Sequence, residues 1–92
     1  GIKNIYMKEF ISYLDIPKNF TGICKSINNN SIVYCKNGKY HREDGPAIEY
    51  ENNHKSWYYK DMLYGYDENF TIETWIEKVK EIKYLESLEI FK

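Results

Sequence analysis

The chain has 92 residues, with 13 basic and 14 acidic side chains for a formal net charge of −1, and its apolar and charged shares are 42% and 29%. That length suits one hydrophobic core, and the balance excludes a disordered chain and a general nucleic-acid clamp, which needs a strong basic excess. No apolar run approaches the roughly 18 residues of a membrane span, and the opening residues lack the blocks of a signal peptide, so the sequence reads as a soluble, cytoplasmic chain.

In chain order, Ile2, Tyr6, Phe10 and Leu14 recur every four residues, with Tyr13 beside them. This spacing predicts a short helix near 3–14, within an N-terminal segment 1–16 that Pro17 closes. Two β-prone runs, 20–27 and 31–36, flank Asn28-Asn29-Asn30, a triplet tolerant of the left-handed backbone of tight turns. A turn at Asn29-Asn30 would set Cys24 opposite Cys35, within reach of a disulfide; one at Asn28-Asn29 sets Cys24 opposite Val33 and leaves both as buried thiols. Reduced thiols are expected for a cytoplasmic chain.

Asn37-Gly38 and Asp44-Gly45-Pro46 punctuate the next stretch, and runs 47–51 and 54–60 flank Asn52-Asn53 as a second hairpin. A two-residue loop there pairs Ile48 with Trp57 and Tyr50 with Lys55. Strand alternation sends Trp57 and Tyr59 to one face and Tyr58 to the other.

From Thr71 the period becomes helical. Thr71 is the expected N-cap, and Ile72, Trp75, Ile76, Val79, Ile82, Leu85 and Leu88 form a wide apolar stripe over a helix in 71–91. The other face, with Glu77, Lys78, Lys80, Glu81, Lys83 and Glu86, reads as solvated, and Lys83 finds little acid partner within the helix. Sliding the chain by twenty-four positions lays Asn28 on Asn52, Tyr34 on Tyr58, Lys36 on Lys60 and Tyr40 on Tyr64, which suggests two copies of one hairpin unit.

The stretch Asn37-Gly38-Lys39-Tyr40-His41-Arg42-Glu43-Asp44-Gly45-Pro46-Ala47-Ile48-Glu49-Tyr50, followed by Lys55-Ser56-Trp57-Tyr58, resembles the NGKxHRxDGPAxEY repeat of small proteins from bacteriophages, prophages and large DNA viruses. That repeat is itself similar to MORN-type hairpin modules, including antitoxin-like proteins. The second copy here reads Asp61-Met62-Leu63-Tyr64-Gly65 and lacks HRxDGPA. The resemblance implies a phage or mobile-element origin and a non-catalytic binding role, as in inhibitors of host defence enzymes such as anti-CRISPR proteins. Fold and origin alone do not fix function.

His41, Arg42, Glu43 and Asp44 form the densest polar cluster. A metal-dependent nuclease would need further ligands, and His54 is the only other histidine. The cluster is better read as a structural turn at Asp44, Gly45 and Pro46, with Arg42 or His41 tying it to the next strand. An interaction surface there is the alternative. Trp57, Tyr58, Tyr59, Tyr64 and Tyr66, beside Lys36, Lys39, Arg42, Lys55 and Lys60, could offer a stacking platform to single-stranded nucleic acid, but core packing or a protein-binding face accounts for them better.

The expected fold is α+β: a small antiparallel sheet of about four or five strands over 20–66, a short N-terminal helix, and a longer C-terminal helix on one sheet face. The expected role is a non-enzymatic binding protein that occupies a host protein surface, with no cofactor and no metal. The candidate partner-binding residues are Lys39, Tyr40, His41, Arg42, Tyr59 and Tyr64. An antitoxin-like or single-stranded nucleic-acid-binding module is the second reading.

Overall fold

The computed structural model describes residues 7–10, as backbone, and 15–89. Strands β1 (Met7–Phe10), β2 (Gly22–Ser26), β3 (Ile32–Lys36), β4 (Lys39–Tyr40), β5 (Ile48–Glu49), β6 (Lys55–Tyr59) and β7 (Met62–Tyr66) precede a 3-10 turn at Asp67–Asn69 and helix α1 (Ile72–Glu89). They form one sheet in the order β1-β2-β3-β5-β6-β7, with β4 also paired to β3. The α+β architecture with a C-terminal helix is as the sequence implies. The N-terminal helix is not: residues 7–10 form a strand parallel to β2, in register Met7 with Ile23. The rest of that expected helix lies outside the described residues. A spacing of four fits a period of two as well as the helical 3.6, so Ile2, Tyr6, Phe10 and Leu14 could mark one face of either element.

Turn chemistry sets the registers. Asn37 and Gly38 (φ 54° and 75°) and Lys60 and Asp61 (φ 49° and 67°) make two-residue turns with both residues left-handed, as tight hairpins require. Gly38 is required twice over, since a Cβ there would also lie 2.1 Å from the Lys18 carbonyl oxygen. In the first hairpin Cys24 pairs with Val33, so of the two expected registers the Asn28-Asn29 one forms, and Cys24 and Cys35 are both buried and unbridged. Burial, followed by the neighbouring Cys24, pushes the Cys35 thiol up to about 12.

The second hairpin departs from expectation by one residue. Ile48 pairs with Ser56 and Glu49 with Lys55. The amide of Tyr50 donates to the carbonyl of His54, leaving Glu51, Asn52 and Asn53 as a three-residue loop that ends with Asn53 at φ 71°. A left-handed third residue is the usual device that lets such a loop close. The twenty-four-residue offset also fails as a structural equivalence. Tyr34 lies on the helix side under Arg42, whereas Tyr58 lies in the cluster on the other side.

The sheet has a core on each face. Away from α1, Cys24, Val33, Cys35 and Ile48 are buried, with Ile16, Phe20, Tyr40, Tyr50 and Tyr58 packed around them. Toward α1, Trp57, Tyr59, Trp75 and Val79 are buried, with Tyr64, Phe70 and Ile82 around them. This divides Trp57 and Tyr59 from Tyr58 as alternation requires. A bulge between Trp57 and Tyr58 shifts the pairing from Trp57–Gly65 to Tyr58–Leu63, and the extra residue, Tyr64, sets its ring 5.8 Å from that of Trp75.

Helix α1 starts where the sequence places it. The Thr71 hydroxyl accepts the Thr74 amide at 3.1 Å and the Thr74 hydroxyl accepts the Thr71 amide at 2.8 Å, a reciprocal cap. Trp75 and Val79 are buried, but Ile72, Leu85 and Leu88 from the expected stripe are exposed. Lys83 pairs outside the helix, its Nζ 2.8 Å from Glu43 Oε1. Glu86 accepts from the Tyr59 hydroxyl at 2.8 Å and from Lys60 Nζ at 2.9 Å.

These two carboxylates tie α1 to the sheet, and both are held below the usual 4.5: Glu43 by its bonds to Lys83 and His41, Glu86 by those to Lys60 and Tyr59. A carboxylate more acidic in the folded than in the unfolded chain binds fewer protons there, so its contribution is complete above the unfolded value and is lost as pH falls through the folded one. The urea midpoint should therefore hold steady down to about pH 4.5 and decline below it, and Glu43→Gln should make that decline shallower. An equal acid slope in the variant would show that the Glu43 bonds do not hold the helix.

Candidate functional site

The segment between β4 and β5, the densest polar cluster of the sequence, lies beneath α1. The indole Nε1 of Trp75 donates to the Arg42 carbonyl at 2.8 Å, and the Arg42 amide donates to the Tyr58 carbonyl at 3.3 Å. The buried His41 ring lies 4.5 Å from that of Tyr59. Its Nδ1 accepts the Lys60 amide at 3.0 Å, so the proton of the neutral ring sits on Nε2, which donates to Glu43 Oε2 at 3.0 Å.

The Arg42 side chain, 21% exposed, gathers the segment. Its Nε donates to Asp44 Oδ1 at 2.9 Å, and one terminal nitrogen donates to the Pro46 carbonyl at 3.2 Å and to Glu49 Oε2 at 3.1 Å. The guanidinium lies 3.9 Å above the centre of the Tyr34 ring. Burial raises the Tyr34 phenol above its usual 10.0, against the pull of Arg42. A Cβ on Gly45 would sit 2.7 Å from the Arg42 Cζ, so this glycine serves close approach. Pro46 and Ala47 are buried.

The partner-binding candidates therefore occupy different places. His41 and Tyr59 are buried and spend their polar atoms inside the fold. Tyr40 packs edge-on against Tyr58 at 5.0 Å, and Tyr64 packs on Trp75 with Lys78 5.7 Å from its ring centre. Lys39 is exposed in β4. Asp44 is exposed and bonds Arg42 Nε, while Gly45 and Pro46 lie within the segment. The aromatic string does not form one platform: Trp57 and Tyr59 are core, Tyr58 is half-buried on the other side, and Tyr66 is exposed. Among the described residues, no group of three or more His, Cys, Asp or Glu side chains comes together as a metal site, and no helix is long and apolar enough to cross a membrane.

A different surface collects exposed apolar side chains. Strand β7 ends the sheet order and reads MLYGY, without a charge or a proline. Its Met62, opposite Tyr59, is 60% exposed on the α1 side, while Leu63 and Tyr66, opposite Tyr58 and Ser56, are exposed on the other face. Lys78 over Tyr64 marks the flank of α1 that faces β7, and Leu85, seven residues further on, returns to that flank. Glu86 bonds Tyr59, whose strand partner is Met62, so Leu85 and Met62 lie at the same level of the sheet. Leu85 is 52% exposed, and Leu88 and Tyr84 continue the exposed run along α1. Reading the stripe as core hid these residues; the signal was that seven stripe positions are more than one sheet-facing row can cover.

No protein-family model, no curated protein and no solved structure matches the chain.

If Arg42 holds the segment together, Arg42→Ala should cost about 2–4 kcal/mol, since it removes charge-assisted bonds and leaves the half-buried Glu49 without that partner. Arg42→Lys should restore less than half, because an ammonium cannot span three acceptors and a ring. Asp44→Ala should cost only about 0–1 kcal/mol, as its carboxylate is 78% exposed. Urea denaturation of the three variants checks this, and equal losses for Arg42→Ala and Asp44→Ala would contradict it.

Proposed function

We propose that the chain is a non-catalytic protein-binding module that acts by covering part of a partner protein, through the β7 edge and the adjoining flank of α1. The observation that carries this reading is the exposed apolar set Met62, Leu85 and Leu88 on the α1 side of an uncharged edge strand. Soluble proteins commonly protect such edges with lysine, proline or a covering element, because an open edge pairs with other chains. Exposed apolar clusters rimmed by charge are typical of protein contact surfaces, and Lys60, Glu81 and Glu89 supply such a rim here.

The resemblance of 37–50 to the phage repeat gives the partner class: a host protein, with an inhibitor of a defence nuclease of the anti-CRISPR type as the narrower form. In this reading the repeat is the scaffold, with Arg42 holding the sheet and helix together, and the contact residues lie outside it. The split aromatic string favours a protein partner over single-stranded nucleic acid, which needs bases stacked in succession.

The test compares wild type with Met62→Glu/Leu85→Glu in a pulldown from bacterial lysate, with circular dichroism confirming that the variant is folded. The reading expects a protein retained by wild type at near-equal stoichiometry and weakened at least 30-fold in the variant, about 2 kcal/mol of contact energy. Equal retention by both would overturn it. So would a wild type that is dimeric by light scattering when the variant is monomeric, since the surface would then be a self-interface.

A further inference from the structure

We infer that His41 is a pH-sensitive latch on the Lys60–Asp61 turn: protonation of its ring releases the turn, and with it the Met62 end of β7, while the rest of the fold stays closed. The turn joins Tyr59 to Met62 with both of its residues left-handed, at φ 49° and 67°. An aspartate tolerates that backbone, whereas a lysine rarely adopts it, so the turn depends on bonds from outside. Segment 40–41 supplies them.

The Asp61 amide donates to the Tyr40 carbonyl at 2.8 Å, the Tyr40 amide donates to Asp61 Oδ1 at 2.7 Å, and the Lys60 amide donates to His41 Nδ1 at 3.0 Å. Only the last of these needs a particular protonation state. A neutral imidazole keeps one ring nitrogen as an acceptor, here Nδ1, but a protonated ring carries an N–H at both nitrogens and accepts at neither. Two donors would then face each other. The ring is 7% exposed and lies 4.5 Å from that of Tyr59, so it cannot turn away without disturbing the core, whereas Lys60 and Asp61 are both exposed. The turn is the part that gives way.

The charges around the ring come from three elements. On its own segment, Glu43 Oε2 accepts from Nε2 at 3.0 Å, while the Arg42 side chain is turned toward Tyr34, Asp44 and Glu49. From β6 and its turn come the Tyr59 ring, Lys60, and Asp61 on the Tyr40 amide. From α1, Lys83 holds Glu43 at 2.8 Å, and Glu86 accepts from Tyr59 and Lys60 at 2.8 and 2.9 Å. The carboxylates of Glu43 and Glu86 accommodate a positive ring, and the Nε2–Glu43 bond becomes charge-assisted and stronger. Protonation therefore exchanges a bond to the turn for a better one to Glu43, which loosens the turn without opening the fold. Histidine is the side chain whose charge ordinarily changes between about pH 5 and 8. Met62 follows Asp61 directly, so release alters how the β7 edge is presented; that consequence rests on the protein-binding reading above, and the latch itself does not.

The experiment is an NMR titration of the nitrogen-labelled chain from about pH 8 to about pH 5, reading the His41 ring nitrogens together with hydrogen exchange at single sites, corrected for its intrinsic pH dependence. At the upper end the ring shifts should show Nδ1 without a proton. As the ring gains its second proton, protection of the Lys60 amide should fall about tenfold or more, while that of the Trp75 indole holds. His41→Gln, whose side-chain oxygen can accept the Lys60 amide at every pH, should keep Lys60 protection constant across the range. The wild-type titration decides the inference even if that variant does not fold. A ring that stays neutral down to about pH 5, or one that protonates with Lys60 protection unchanged, would overturn it. Equal losses at Lys60 and the Trp75 indole would do so too, since the whole fold would then be opening. A pulldown that finds no partner would leave every one of these readouts as it is.

Discussion

The two halves of this fold meet at Arg42. One residue receives the Trp75 indole on its carbonyl, gives its amide to β6, stacks its guanidinium on Tyr34 of β3 and bonds Glu49 of β5. The side chain is only partly exposed, so its ion pairs work in a less screened setting than ordinary surface pairs, and their geometry converges on one fork of donors. Each neighbouring residue of the segment fits that role. Gly45 gives the guanidinium room, Asp44 orients Nε, His41 fastens the Lys60 turn, and Glu43 reaches up to Lys83.

That arrangement explains why the most recognisable part of the sequence is not its most exposed surface. A sheet with a core on each face needs something to fix the helix over one of them, and the 41–47 segment does this from below. Side chains committed in this way are poorly placed for an outside partner. Exposed apolar groups lie instead where the sheet ends, on β7, and where α1 extends past its row of buried contacts.

Much of the scaffold was legible in the residues. Thr71 marks the start of α1, Asn37-Gly38 marks a tight turn, and alternation separates Trp57 and Tyr59 from Tyr58. What escaped depends on partners distant in sequence or on single-residue slips. β1 escaped because a spacing of four suits a strand as well as a helix, and its parallel pairing with β2 leaves no local turn signature. Asn53 in a left-handed conformation adds a third loop residue and moves the second hairpin by one position. The Glu43–Lys83 pair spans forty residues, beyond any helix-spacing rule. The candidate surface was hidden because apolar periodicity does not distinguish a residue facing the sheet from one beside it.

The central claim is that Arg42 ties α1 and the 41–47 segment to the sheet, and native-state hydrogen exchange tests it most directly. The Trp75 indole N–H reports the helix face, and the backbone amides of Cys24 and Val33 report the other. Loss of the Arg42 side chain should lower the protection of both by similar factors, because a tie that spans β3, β5, β6 and α1 acts on the one global opening that exposes both sets of protons. Protection that falls only at 41–47 and the Trp75 indole, with β2 and β3 unchanged, would contradict the account.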